Sequence, residues 1–71
     1  LKVVFRNAIL FGARSLILVH NHPSNTLTAS QEDIKLTQEI KQAGKLLGIK
    51  ILDHIIITNN SYLSMADEAI I

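Results

Sequence analysis

The sequence predicts an α/β domain, a mostly parallel sheet core with helices packed on it, in the order α-β-α-β-β-α. Three observations predict it. Two apolar runs, SLILVH at 15–20 and IKILDHIIIT at 49–58, are too short for helices and rich in aliphatic and β-branched residues. A longer stretch of helical period separates them, as a crossover between parallel strands requires. An amphipathic stretch precedes the first run.

Residues 2–12 read as the first helix. Val4, Ala8 and Phe11 make one apolar row, Phe5 and Ile9 sit beside it, and Gly12 is a natural stop. Ser15 to His20 is a buried strand. Asn21 to Leu27, with Pro23, Ser24 and Asn25, is a loop. The second helix runs from about Ala29 to Leu47. Thr28 with Gln31 supplies a capping-box pattern, and Leu36, Ile40, Ala43 and Leu47 form the apolar stripe. Gly48 ends it. Ile49 to Thr58 is the second strand, Asn59-Asn60-Ser61 a turn, Tyr62 to Ser64 a short returning strand, and Met65 to Ile71 a short helix or tail.

Composition narrows the function. The chain has 71 residues, 48% hydrophobic and 18% charged, which is a thin core and a low charge for a soluble domain. It opens on Leu1. The expectation is a partial domain over 1–71 whose N-terminal part is missing, with self-association into a homo-oligomer plausible through uncovered apolar surface. The absence of cysteine excludes thiolate metal sites and disulfides and fits a reducing, cytoplasmic setting. No run is long enough to span a membrane. The net charge is +1 and the seven basic residues are scattered, so nucleic-acid binding is not supported.

The chemistry concentrates in His20-Asn21-His22-Pro23. A residue before proline is pushed toward extended backbone, and side chains of extended chain alternate, so His20 and His22 point to one side. Asp33 occupies the next step back along the apolar stripe of the second helix (47, 43, 40, 36, 33), where a carboxylate persists charged only if paired or metal-bound. Ser30 lies one step further back. Two imidazoles and one carboxylate leave a fourth tetrahedral position open, the pattern of a catalytic zinc site. Asp53-His54 is a second polar pair in an apolar strand. Adjacent residues point to opposite faces, so only one can face the site. A satisfied structural pair is the reading taken, and support of the metal ligands is its alternative. The letters H-N-H at 20–22 do not make an HNH nuclease, whose residues stand far apart.

His20-x-His22-Pro23 followed by Ser30-x-x-Asp33 resembles the JAMM motif, H-x-H-x7-S-x2-D, and the run HNHPS…TASQEDIKLT…AGKLLGIKILDHIIIT is similar to the C-terminal part of RadC proteins. The resemblance implies a JAB1/MPN-like fold related to cytidine deaminase. It implies His20, His22 and Asp33 as Zn2+ ligands and Ser30 as a donor to the developing oxyanion. It also implies peptidase or isopeptidase chemistry on a peptide or protein substrate. JAMM enzymes use an upstream glutamate as general base; Glu32, Glu39 and Glu68 do not fit that position, so the expectation is little or no activity without it. Asn21 agrees with the RadC branch, and Ala29 replaces a proline frequent there. The alternatives are a non-catalytic MPN-like protein-binding module and a DNA-repair-associated role under the family name.

Overall fold

The computed structural model describes residues 2–22 and 26–71; the expected loop residues Pro23, Ser24 and Asn25 lie outside them. The elements are α1 (Lys2–Leu10), β1 (Ser15–Asn21), α2 (Gln31–Leu47), β2 (Lys50–Ile57) and β3 (Tyr62–Ser64). The sheet order is β1-β2-β3. β1 and β2 pair in parallel and β3 returns antiparallel on β2, so the α/β expectation holds with a mixed sheet. Met65 to Ala69 forms successive turns, not the closing helix of the expected order.

Both helices end on glycine in the left-handed region, Gly12 at φ 64° and Gly48 at φ 74°. Each places the following N–H on a carbonyl one turn back, Ala13 on Ala8 at 2.8 Å and Ile49 on Gly44 at 2.7 Å. That closure satisfies carbonyls a helix end otherwise leaves open. It also turns the chain straight into β1 and β2.

The buried rows differ from the expected ones. In α1, Phe5 and Ala8 are buried, while Phe11 is 87% exposed. The helix stops at Leu10, so Phe11 lies beyond its last turn and cannot continue the row. In α2 the buried residues are Thr37, Ile40 and Gly44, one position on from the Leu36–Ala43–Leu47 stripe; Leu36 and Leu47 are exposed. The reason is a close approach between α2 and the chain entering β2. A Cβ on Gly44 would collide with the Ile49 carbonyl oxygen, so a larger residue has no room on that face. Phe5, Ala8, Ile40, Ile49 and Ile51 form one apolar cluster, with Ala13, Leu16, Leu18 and Ala43 packed against it. Along β1, half-buried Leu16 and Leu18 alternate with exposed Ile17 and Val19.

The β1–β2 register shifts between Leu16, opposite Ile51, and Ile17, opposite Asp53. Leu52 is passed over, and the slip reverses which side chains face α2 from there on. Ile51 and His54, three residues apart, therefore both face the helices. Asp53 turns the other way and collects hydrogen bonds from the Ser64 hydroxyl, the Ala66 N–H at 3.0 Å and the His54 N–H at 2.7 Å. The expectation of a satisfied polar pair holds for Asp53. Its carboxylate pins the segment after β3 onto β2.

Burial pushes the Asp53 carboxyl up, but the bonds from Ser64, Ala66 and His54 outweigh it and hold the group below its ordinary value. A carboxylate depressed on folding contributes stability above its unfolded pKa, about 3.9, and loses that contribution as pH falls through the lower folded value. Asp53→Ala is expected to cost about 2 kcal/mol near neutral pH, the scale of charge-assisted hydrogen bonds. Denaturant melts from pH 6 to pH 2 check this. The gap between variant and parent should close at the acid end, and a gap independent of pH would contradict the assignment.

Candidate metal centre

The site sits where β1 runs out, at the carboxyl end of a parallel strand, facing the first turn of α2. β1 carries His20, opposite Ile56 of β2. The chain stays tied to the sheet one residue past β1, because the His22 N–H bonds the Ile57 carbonyl at 2.9 Å. His20 and His22 project to the same side, as the extended backbone requires. Their ring centroids are 4.6 Å apart and the planes cross at 81°.

Asp33 comes to meet them from α2. The helix begins at Gln31, two residues later than expected, so Ser30 and not Thr28 is its N-cap. Ser30 has extended backbone (φ −71°, ψ 159°) and accepts the Asp33 N–H on Oγ at 3.0 Å. The Asp33 carboxylate accepts the Ser30 N–H at 3.3 Å in return. This reciprocal capping box satisfies two of the free N–H groups of the helix start and fixes the carboxylate's position. Burial pushes the Asp33 carboxyl up. The Ser30 bonds, helped by His20 and His22, prevail and hold it below the usual value.

The three side chains converge. His20 Nδ1 lies 3.5 Å from Asp33 Oδ1, and His22 Nε2 lies 3.3 Å from Asp33 Oδ2. One ligand atom from each falls within 4.8 Å of the others. Two ligands each 2.0–2.2 Å from one tetrahedral zinc stand roughly 3.4 Å apart; each histidine lies near that distance from one oxygen of the carboxylate, His20 from Oδ1 and His22 from Oδ2. The donor set, two imidazole nitrogens and a carboxylate oxygen, is one zinc accepts.

The orientation of His22 sharpens the fit. Its Nδ1 lies 3.2 Å from the Thr26 carbonyl, which can only accept, so Nδ1 carries a proton. Nε2 then faces a carboxylate oxygen of Asp33 at 3.3 Å. A proton on Nε2 or a shared metal ion satisfies that pair equally. A carbonyl behind a ligating imidazole is also the usual means of fixing its tautomer and aim.

His20, His22, Asp33 and Ser30 are thus brought together as the sequence suggests. Ser30 caps α2, and its hydroxyl, accepting on oxygen, keeps its own proton to donate. Glu32, Glu39 and Glu68 are all exposed, and none joins the three. Sequence reasoning missed Thr37 altogether. It is fully buried one turn after Asp33, donates to the Asp33 carbonyl at 2.7 Å and meets His54 Nδ1 at 2.6 Å. The signal was its i+4 spacing from Asp33. A cavity of about 380 Å3, lined by Lys41, Lys45, Ile49 and Lys50, contains none of the candidate ligands.

Comparison with known proteins agrees with this architecture. Residues 1–70 match the family model described as RadC-like JAB domain. A UPF0758 protein of Methanosarcina acetivorans is 50% identical over 70 residues, covering 99% of this chain and 31% of the relative. Another, of Carboxydothermus hydrogenoformans, is 51% identical over 65 residues, covering 92% of this chain and 29% of the relative. A third, of Flavobacterium johnsoniae, is 51% identical over 69 residues, covering 97% and 30%. The chain therefore spans under a third of the length of the curated relatives it matches.

Proposed function

The chain belongs to the RadC-like JAB domain family, and on that premise we propose that it carries the metal-binding half of a zinc-dependent hydrolase acting on amide or isopeptide bonds of peptide or protein substrates. The observation that carries the proposal is the meeting of His20, His22 and Asp33, with His22 Nε2 turned onto a carboxylate oxygen 3.3 Å away. His20, His22 and Asp33 would hold the ion. When bound, it supplies Lewis-acid activation of water and of a carbonyl at neutral pH.

The protein groups divide the remaining work. The Thr26 carbonyl keeps the His22 ring turned so that Nε2 faces the site. The capping box holds the carboxylate of Asp33 while leaving the Ser30 O–H free. That hydroxyl stands at the positive end of the α2 dipole, where a developing oxyanion is stabilised. Proton transfer needs a further acid–base group, and the exposed Glu32, Glu39 and Glu68 do not supply it.

The test is a peptidase assay with zinc present, comparing this chain with the full-length Methanosarcina acetivorans relative. Chelator-sensitive cleavage by the relative is expected. The 71-residue chain should be slower by roughly 100-fold or more, the typical contribution of a positioned general base. Cleavage by the relative that survives complete chelation would overturn the proposal.

A further inference from the structure

We propose that Thr37 and His54 form a positioning lock that sets the distance between Asp33 and the two histidines, and so sets the affinity of the centre for its metal; this rests on the metal-site reading above. Asp33 and His20 come from different elements, and a fit to within tenths of an ångström needs something that holds α2 against the sheet beside them. The apolar cluster does not do so locally. Its α2 members, Ile40 and Ala43, lie two turns or more along the helix from Asp33.

The Thr37–His54 bond is the side-chain tie that fills this gap. Thr37 is fully buried and His54 is 6% exposed. Their hydrogen bond, 2.6 Å from Oγ1 to Nδ1, joins residues seventeen positions apart. The Thr37 hydroxyl has one proton, and the Asp33 carbonyl can only accept. The 2.7 Å bond to that carbonyl therefore uses the proton. His54 must then donate from Nδ1 into Thr37 Oγ1. The result is a directed chain, His54 Nδ1–H to Thr37 Oγ1–H to the Asp33 carbonyl, running from β2 into the backbone of a candidate ligand.

The other side of His54 meets the remaining half of the site. Its ring lies 6.1 Å from the His20 ring, tilted by 31°. Its strand neighbour in register is Leu18, two residues before His20. His54 thus touches α2 through Thr37 and stands beside β1's ligand. Neither residue belongs to the group of three candidate ligands.

The experiment measures zinc affinity by competition with a chromophoric chelator, together with the visible spectrum of the Co2+-loaded chain. Thr37→Val keeps the shape and removes the hydroxyl; Thr37→Ser restores it. Thr37→Val is expected to bind zinc about 10–100-fold more weakly with an altered Co2+ spectrum. Thr37→Ser should return both to within a few-fold of the parent. A purely structural residue would change the melting temperature and leave the Co2+ spectrum alone. If Thr37→Val does not fold, His54→Asn, which keeps a donor near the place of Nδ1, is compared with His54→Leu, which does not. His54→Asn should retain metal binding and His54→Leu should lose it. Parent-like affinity and spectrum in Thr37→Val, or equal behaviour of the two His54 variants, overturns the lock. Failure of the parent to bind zinc at all overturns the metal reading instead.

Discussion

Asp33→Ala is expected to lower zinc affinity by at least about 100-fold, while costing only about 1 kcal/mol of folding stability. The two effects have separate origins. Removal of one of three ligands should exceed the ~10–100-fold typical of losing a partner behind a ligand. The stability cost comes from the capping box, since Ser30 N–H loses its carboxylate acceptor; a lost cap costs about 1 kcal/mol. Chelator competition gives the first number and thermal denaturation of the metal-free chain gives the second. Near-parent affinity in Asp33→Ala would mean that the ion is held elsewhere.

Gly44→Ala is expected to destabilise the chain by about 1–3 kcal/mol, against the direction of helix propensity. In an exposed helix the same change stabilises by roughly 1 kcal/mol. Gly44 lies in the buried row of α2, and an added Cβ would run into the Ile49 carbonyl oxygen. That oxygen is backbone, part of the turn entering β2, and it cannot swing aside as a side chain does. Relief requires α2 to lift from β2, at the usual cost of overpacking. The lift propagates toward Thr37 and His54, so zinc binding should weaken as well. Equilibrium denaturation of the variant checks the prediction, and a more stable Gly44→Ala would show that the approach is looser than drawn.

These two residues also mark where the sequence is readable and where it is not. His20, His22 and Asp33 could be placed because their positions follow from strictly local rules. Alternation along an extended strand and the 3.6-residue period of a helix carry both histidines and the carboxylate to definite faces. The strands and the glycine stops were legible for the same reason. The face on which α2 is buried was not. Hydrophobic periodicity selected Leu36, Ile40, Ala43 and Leu47; Ile40 is buried as expected, but its buried neighbours on α2 are Thr37 and Gly44 rather than Leu36 and Leu47. Helix and strand approach too closely there for leucine, and a small residue gives no periodic signal. Asp33 belongs to both rows counted backward, which is why the site survived the error.

The helix start shows a second limit. In the sequence Thr28 with Gln31 reads as the better capping box, by the stripe that leaves Ser30 free, and Ser30 with Asp33 is the alternative. The structure uses Ser30, with Asp33 as its reciprocal partner. His54 shows a third. Its face is set by the register slip at Leu52, a feature of pairing between distant strands that no local pattern encodes.

The central claim is that one cation is shared by His20, His22 and Asp33. Anomalous X-ray scattering recorded on either side of the zinc edge, from crystals of the zinc-loaded chain, tests it most directly. A single strong peak 2.0–2.2 Å, or about a zinc–ligand bond length, from a nitrogen of each histidine and an oxygen of Asp33 is the predicted result. A fully occupied zinc peak elsewhere in the chain, with Asp33 Oδ2 still facing an empty gap to His22, would contradict it.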